Sequence, residues 1–214
     1  MAQEIPKLTF VLFGNSTSIQ FGYANSLLLE KPLEEEGEFC RIVRVHTKIS
    51  DRDVSVINMI DLHDNKCYQD FVNHLIGKLM YKSKIFAFIF VVRLGQLTDA
   101  DKMSLDWLQS VFGDGVFQFV SILFTYERKE ESDSIIDHLK KNTVLEQLLK
   151  KCGERYHTCS KTMNNGSEMR ELIKKIDCLF NENQGKCYTE EMYNTQLRER
   201  EDQKKLSKQG VQFS

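Results

Sequence analysis

Runs of apolar residues of strand length alternate along this chain with segments whose apolar positions recur every three to four residues. Leu8 to Phe13 is apolar except for Thr9 and ends at Gly14, which predicts a first strand covered on both faces. Arg41–Thr47 and Val54–Ile60 predict a second and third strand, and the short polar stretch Ser50-Asp51-Arg52-Asp53 between them predicts a hairpin. Ile85–Val92 and Phe119–Thr125 are almost wholly apolar and predict two more buried strands, with Arg155–Cys159 a short last one.

The intervening segments carry the helical period. Phe71, Leu75, Ile76 and Leu79 share a face of a helix expected from about Tyr68 to Tyr81. Thr98 followed by Asp101 is a capping box ahead of a helix that turns Leu105, Leu108 and Phe112 inward. Leu145, Leu148 and Leu149 lead into Lys150-Lys151-Cys152-Gly153, a basic last turn and a glycine stop. Met169, Leu172, Ile173, Ile176, Leu179 and Phe180 form the clearest amphipathic stripe.

Strand and helix alternating in this order, with one early hairpin, implies a mainly parallel sheet with one antiparallel edge and helices on both faces. From Thr189 onward the chain is polar and charged, through Arg198-Glu199-Arg200-Glu201-Asp202 and Lys204-Lys205, and reads as an exposed helix with a frayed tail. Met192, Leu197 and Leu206 are too sparse for a coiled coil. The division expected is a domain over 1–187 and a charged helix and tail over 188–214.

Composition narrows the function. With 214 residues and 41% hydrophobic content the chain can bury a core. Lysine and arginine number 29 against 31 acidic residues, a net charge of −2, so no basic excess points to nucleic acid. Met1–Lys7 holds no apolar leader, and the run at Ile85–Val92 is too short to span a bilayer. Six cysteines without a C-x-x-C pair fit free thiols in a reducing compartment, so a cytoplasmic protein is expected.

The stretch Gly14-Asn15-Ser16-Thr17-Ser18-Ile19-Gln20-Phe21-Gly22, followed by Tyr23-Ala24-Asn25-Ser26, occupies the strand-to-helix position of a phosphate-binding loop. Downstream stand Val91-Val92-Arg93-Leu94-Gly95-Gln96-Leu97-Thr98, Phe124-Thr125, Leu148 to His157, and Gly185-Lys186-Cys187-Tyr188-Thr189-Glu190-Glu191-Met192-Tyr193. In these segments, over about Leu8 to Tyr193, the chain resembles the immunity-associated GTPase family (GIMAP, also called IAN). The resemblance implies a P-loop NTPase-like G domain that binds GTP and often self-associates through its nucleotide face.

Aligned with that family, the residues of the nucleotide site are altered. The family's loop is G-x-x-x-x-G-K-S. Ile19 stands at the second glycine, where a branched Cβ resists positive φ. Gln20 replaces the phosphate-binding lysine, losing about 1–3 kcal/mol of charge-assisted contact. Phe21 replaces the hydroxyl that ligates Mg²⁺. The family's D-x-x-G is Asn58-Met59-Ile60-Asp61, and no serine or threonine lies between Leu27 and His46 to act as the first switch, where Glu34-Glu35-Glu36 repel phosphates. Arg128, in Thr125-Tyr126-Glu127-Arg128, stands where an aspartate should accept from guanine, with Glu127 beside it as a substitute if the loop shifts by one residue. Ser160-Lys161 replaces the later asparagine pair. Remnants of a nucleotide site are therefore expected at Gly14, Asn15, Ser16, Thr17, Gln20, Phe21, Asn25, Thr125, Glu127 and Ser160, with no catalytic residue and no metal ligand.

Three readings follow. One is a pseudo-GTPase scaffold that has lost hydrolysis and acts by association with itself or a related G-domain protein. A second is a guanine-nucleotide-binding protein with an atypical site, for which GTP or GDP is the cofactor. A third, a thiol or metal protein, has only Cys152, His157 and Cys159 behind it, with Cys178 and Cys187 nearby in sequence, in a spacing that matches no zinc pattern.

Overall fold

The computed structural model describes residues 7–15, 43–60, 69–95, 97–162 and 166–210. At its centre lies β1 (Leu8–Gly14), all seven residues buried. β3 (Arg52–Ile60) and β5 (Ala87–Arg93) flank it on either side, both parallel to it. β2 (Val43–Ile49) pairs antiparallel with β3 at one edge. β6 (Val120–Tyr126) and β7 (Tyr156–Ser160) continue the sheet in parallel beyond β5, in the order β2-β3-β1-β5-β6-β7.

Side chains alternate across a strand, so one apolar strand feeds two cores. Val11, Phe13, Phe88, Phe90, Val92, Ile122 and Phe124 face one side, where α1 (Gln69–Met80), α2 (Asp99–Phe112) and α5 (Thr143–Lys151) cover them. Leu8, Phe10, Leu12, Ala87, Ile89, Val91 and Leu123 face the other, under α6 (Gly166–Glu182). Short helices α3 (Lys129–Asp133) and α4 (Ile135–Lys141) connect β6 to α5. The expected capping box is present: Thr98 accepts from the Asp101 amide, and the Asp101 carboxylate accepts from the Thr98 amide at 2.8 Å.

Four expectations change. β2 runs two residues past its expected end, leaving only Ser50 and Asp51 between the strands, at φ 50° and 62°. A two-residue hairpin demands left-handed φ, and without the usual Asn-Gly signal the sequence suggests a wider turn. The apolar run from Ile85 divides at Phe86. Lys84–Ile85 (β4) pairs with Tyr188–Thr189 (β8) in a separate two-stranded sheet, the Phe86 amide donates to the Thr9 carbonyl, and β5 starts at Ala87. On α1, Phe71 is exposed, and Val72 and Met80 are buried with Ile76 and Leu79.

The fourth change is at the C-terminus, where α7 (Glu190–Gly210) is only half exposed. Tyr188 and Tyr193 are among the most buried side chains, beside Phe112. The Tyr188 hydroxyl donates to the Phe112 carbonyl at 2.7 Å and the Tyr193 hydroxyl to the Asn73 carbonyl at 3.1 Å. Glu190 accepts from the Lys82 amide just past α1. From Glu201 to Lys208 every residue is exposed. Few apolar positions in a strongly charged helix gave a weak period, so its docked half did not stand out.

Candidate nucleotide crevice

In a doubly wound sheet, ligands sit beyond the carboxyl ends of the parallel strands. β1 reaches that end at Gly14, with φ 128°. A Cβ there would lie 2.6 Å from the Val91 carbonyl oxygen of β5, so the close approach of the two strands alone requires glycine. Asn15 follows. Ser16, Thr17, Ile19, Gln20, Phe21 and Asn25 lie outside the described residues, as do Glu34–Glu36 and Asp61–Asp64. At the end of β3, Asn58 turns its carboxamide oxygen onto the Ile60 amide at 2.9 Å.

The far half of the crevice is formed by β5, β6 and β7. Thr125 is fully buried, and its carbonyl accepts from the Leu94 amide. Tyr126 accepts from the Lys161 amide at 2.7 Å, which brings the residues after β6 and β7 side by side. Beyond them Glu127 lies between two cations, with Arg93 Nη1 at 3.1 Å and Lys161 Nζ at 3.3 Å. The hydrogen bond from Lys161, then the charge of Arg93, hold its carboxyl below the usual range, so it is ionised and already partnered at neutral pH. Arg128 is 80% exposed and its Nε reaches Glu131 Oε1 at 3.4 Å. Ser160 gives both its amide and its hydroxyl to the Glu168 carboxylate at 2.8 Å, fastening β7 to the first turn of α6.

The structure thus brings Thr125, Glu127 and Ser160 to one end of the sheet, on the same side as Gly14 and Asn15. It adds Glu168, and it sets Arg93 and Lys161 against Glu127, a contact with no signal in the sequence because the strand order alone makes β5, β6 and β7 neighbours. The carboxylates of this rim are already engaged: Glu127 by Arg93 and Lys161, Glu131 by Arg128, and Glu168 by Ser160. A guanine edge that donates through its ring N–H and amine needs acceptors there. Cys152 and Cys159 lie in the cores on opposite faces of the sheet, which separates the two thiols of the metal reading. Among the described residues no group of three His, Cys, Asp or Glu side chains is placed to hold a metal ion. Among them too, no helix is long and apolar enough to cross a membrane.

The sheet order, antiparallel first hairpin and helices on both faces define a P-loop-type G-domain fold. Toc33 from Arabidopsis thaliana in complex with GDP and Mg²⁺ superimposes with a TM-score of 0.55 at 15% identity, covering 86% of this chain and 88% of that one. A dimerization-deficient mutant of Toc33 superimposes with a TM-score of 0.52 at 14% identity, covering 86% and 87%. The AIG1 family model matches residues 8–208, and the chain belongs to the AIG1 family. It is 22% identical over 204 residues to immune-associated nucleotide-binding protein 9 of Arabidopsis thaliana, covering 88% of this chain and 60% of that protein. It is 24% identical over 192 residues to GTPase IMAP family member 8 of Homo sapiens, covering 85% of this chain and 29% of that one. The chain therefore spans less than two thirds of the length of either relative.

Proposed function

We propose that this chain is a guanine-nucleotide-type G domain that has lost GTP hydrolysis and acts as a scaffold, associating through its nucleotide face with a second copy or a related G domain. The observation that carries this reading is Glu127. The Glu127 carboxylate, beside the guanine position, is committed to Arg93 and Lys161, while the neighbouring Arg128, which pairs with Glu131, presents donors to a base edge that itself donates. Gln20, Phe21 and Asn58, which align with the family's phosphate lysine and Mg²⁺ ligands, support it from the sequence. The dimerization named for Toc33 supports the association. In this proposal residues 1–187 form the G domain and 188–214 its charged helical extension.

A second reading keeps GTP binding. The relatives' names record nucleotide binding and GTPase kinship, and the Glu127 side chain is 48% exposed at the crevice, where it can turn to a base. Thermal unfolding separates the two. A ligand that binds only the native state at a thousandfold excess over its Kd adds about 4 kcal/mol. For a chain of this size that is an upward Tm shift of about 8–16 °C. The scaffold reading expects no shift with millimolar GTP and Mg²⁺, and a concentration-dependent oligomer in sedimentation without nucleotide. A large shift with GTP but not ATP establishes the second reading. A strictly monomeric species at high concentration overturns the first.

A further inference from the structure

At the end of the sheet opposite the crevice, β1 begins and the β2–β3 hairpin turns. Alternation puts Arg44, His46 and Lys48 on one face of edge strand β2, with Ser55 opposite His46 and Asp53 opposite Lys48 on β3. Lys7 immediately precedes β1, whose Leu8 is in register with Val54. Lys7, His46, Thr47, Lys48, Asp53 and Val54 line an open cleft of about 480 Å³.

The charge of this cleft runs against that of the chain. The whole sequence carries −2, yet among the described lining residues Lys7 and Lys48 meet with Asp53 as the one carboxylate. Lys48 and Asp53 are 4.0 Å apart with side chains 74% and 65% exposed, a pair worth about 0–1 kcal/mol and readily displaced. Arg44 is fixed, its Nε donating to Ser55 Oγ at 2.9 Å and its Nη1 to Ser83 Oγ at 3.4 Å. It is a stationary positive charge on the strand beside the cleft, two residues from His46. Burial first, then the charges of Lys7 and Arg44, push the His46 imidazole below its ordinary range. The cations just before β1 and on β2 thus both act on His46.

We propose that this cleft binds a phosphoryl group, a phosphate monoester dianion carried either on a small molecule or on a lipid headgroup, held between Lys7 and Lys48. A dianion matches two lysine point charges and gains from charge-assisted hydrogen bonds. His46 supplies a further donor through its ring N–H, and a positive charge once protonated. The charged groups that face it are Lys7 at the start of β1, Arg44 and Lys48 on β2 and Asp53 on β3. A bound phosphoryl group offsets the cations that disfavour the imidazolium, so binding raises the His46 pKa. The site lies apart from the nucleotide crevice and stands whether or not the scaffold reading holds.

The test titrates inorganic phosphate into the full chain and follows the His46 ring resonance, with potassium chloride at matched ionic strength as control. The expected result is a saturable shift of His46, with His74 and His157 unmoved. The Lys7→Ala/Lys48→Ala double variant should bind at least about tenfold more weakly. Both lysines are exposed, and an unchanged Tm verifies that this variant is folded. His46→Gln should keep binding and lose the part of its pH dependence that exceeds the second ionisation of phosphate itself. An unmoved His46, an equal shift with chloride, or undiminished affinity in the folded double variant overturns the proposal. Co-sedimentation with phosphatidylcholine vesicles containing phosphatidylinositol phosphate identifies the source. Retention that the double variant loses assigns a lipid headgroup; phosphate binding without retention assigns a soluble phosphoester.

Discussion

Replacing Tyr193 by alanine tests whether α7 belongs to the folding unit. The side chain is fully buried, its ring centroid lies 5.8 Å from that of Phe112, and its hydroxyl donates to the Asn73 carbonyl of α1. Truncating a large aromatic side chain in a core costs roughly 3–5 kcal/mol, through lost transfer energy and the cavity left behind. In a chain of this size each kcal/mol lowers Tm by about 2–4 °C, so Tyr193→Ala should melt about 6–20 °C below the parent. Tyr193→Phe keeps the ring and loses one hydrogen bond, and should cost about 0.5–1.5 kcal/mol. Thermal and urea unfolding read by circular dichroism and by Trp107 fluorescence give both values. Trp107 is on α2 and its ring lies 6.4 Å from that of Phe112, so it reports on the same cluster. If Tyr193→Ala left the global transition in place and removed only helical signal below it, α7 would be a separately melting appendage and the argument from burial would fail.

Burial pushes the Cys152 thiol up to about 11 and that of Cys159 up to about 12. Alkylation of native protein near pH 8 should therefore spare both and modify the exposed Cys178, a pattern read by peptide mass spectrometry. The same shifts set a pH slope. Folded thiols keep protons that unfolded thiols release, so their contribution is complete below the unfolded thiol value of 9.0 and is lost as pH rises through about 11 and then 12. Urea midpoints that stay level above pH 9.0 would contradict this. Arg52 holds both Asp177 carboxylate oxygens, at 2.7 and 2.8 Å, and lies over the Phe86 ring, so it ties the hairpin to α6. Arg52→Ala should cost about 1–3 kcal/mol, and a double-mutant cycle with Asp177→Asn should show coupling of about 1 kcal/mol, reduced because Asp177 is 41% exposed. Strict additivity would show that the pair contributes nothing beyond its separate parts.

Much of the architecture is legible because parallel strands buried on both faces must be apolar throughout. Leu8–Phe13 and Phe119–Thr125 announce themselves by composition, and Met169–Leu179 by period, with no knowledge of what lies beside them. Thr98 and Asp101 do so because a capping box is closed within four residues. Gly14 is legible as the end of β1, but its reason differs from the one a phosphate loop suggests, since the approach of the Val91 carbonyl already excludes a side chain.

Tertiary structure decided what depends on neighbours distant in sequence. Phe86 breaks an apolar run because the Thr9 carbonyl and the Tyr188–Thr189 strand each take part of it. Tyr193 is buried because β5, α1 and α2 leave an aromatic pocket that a charged helix can fill with one ring. The crevice follows the same rule. Sequence alone places Glu127 next to an arginine that cannot accept from guanine. Only the order β5-β6-β7 sets Arg93 and Lys161, 34 residues from Glu127 in each direction, against its carboxylate. Local order is set by each residue's own preferences and its near neighbours. An ion pair across three strand ends is set by chain crossovers, which composition and period do not encode.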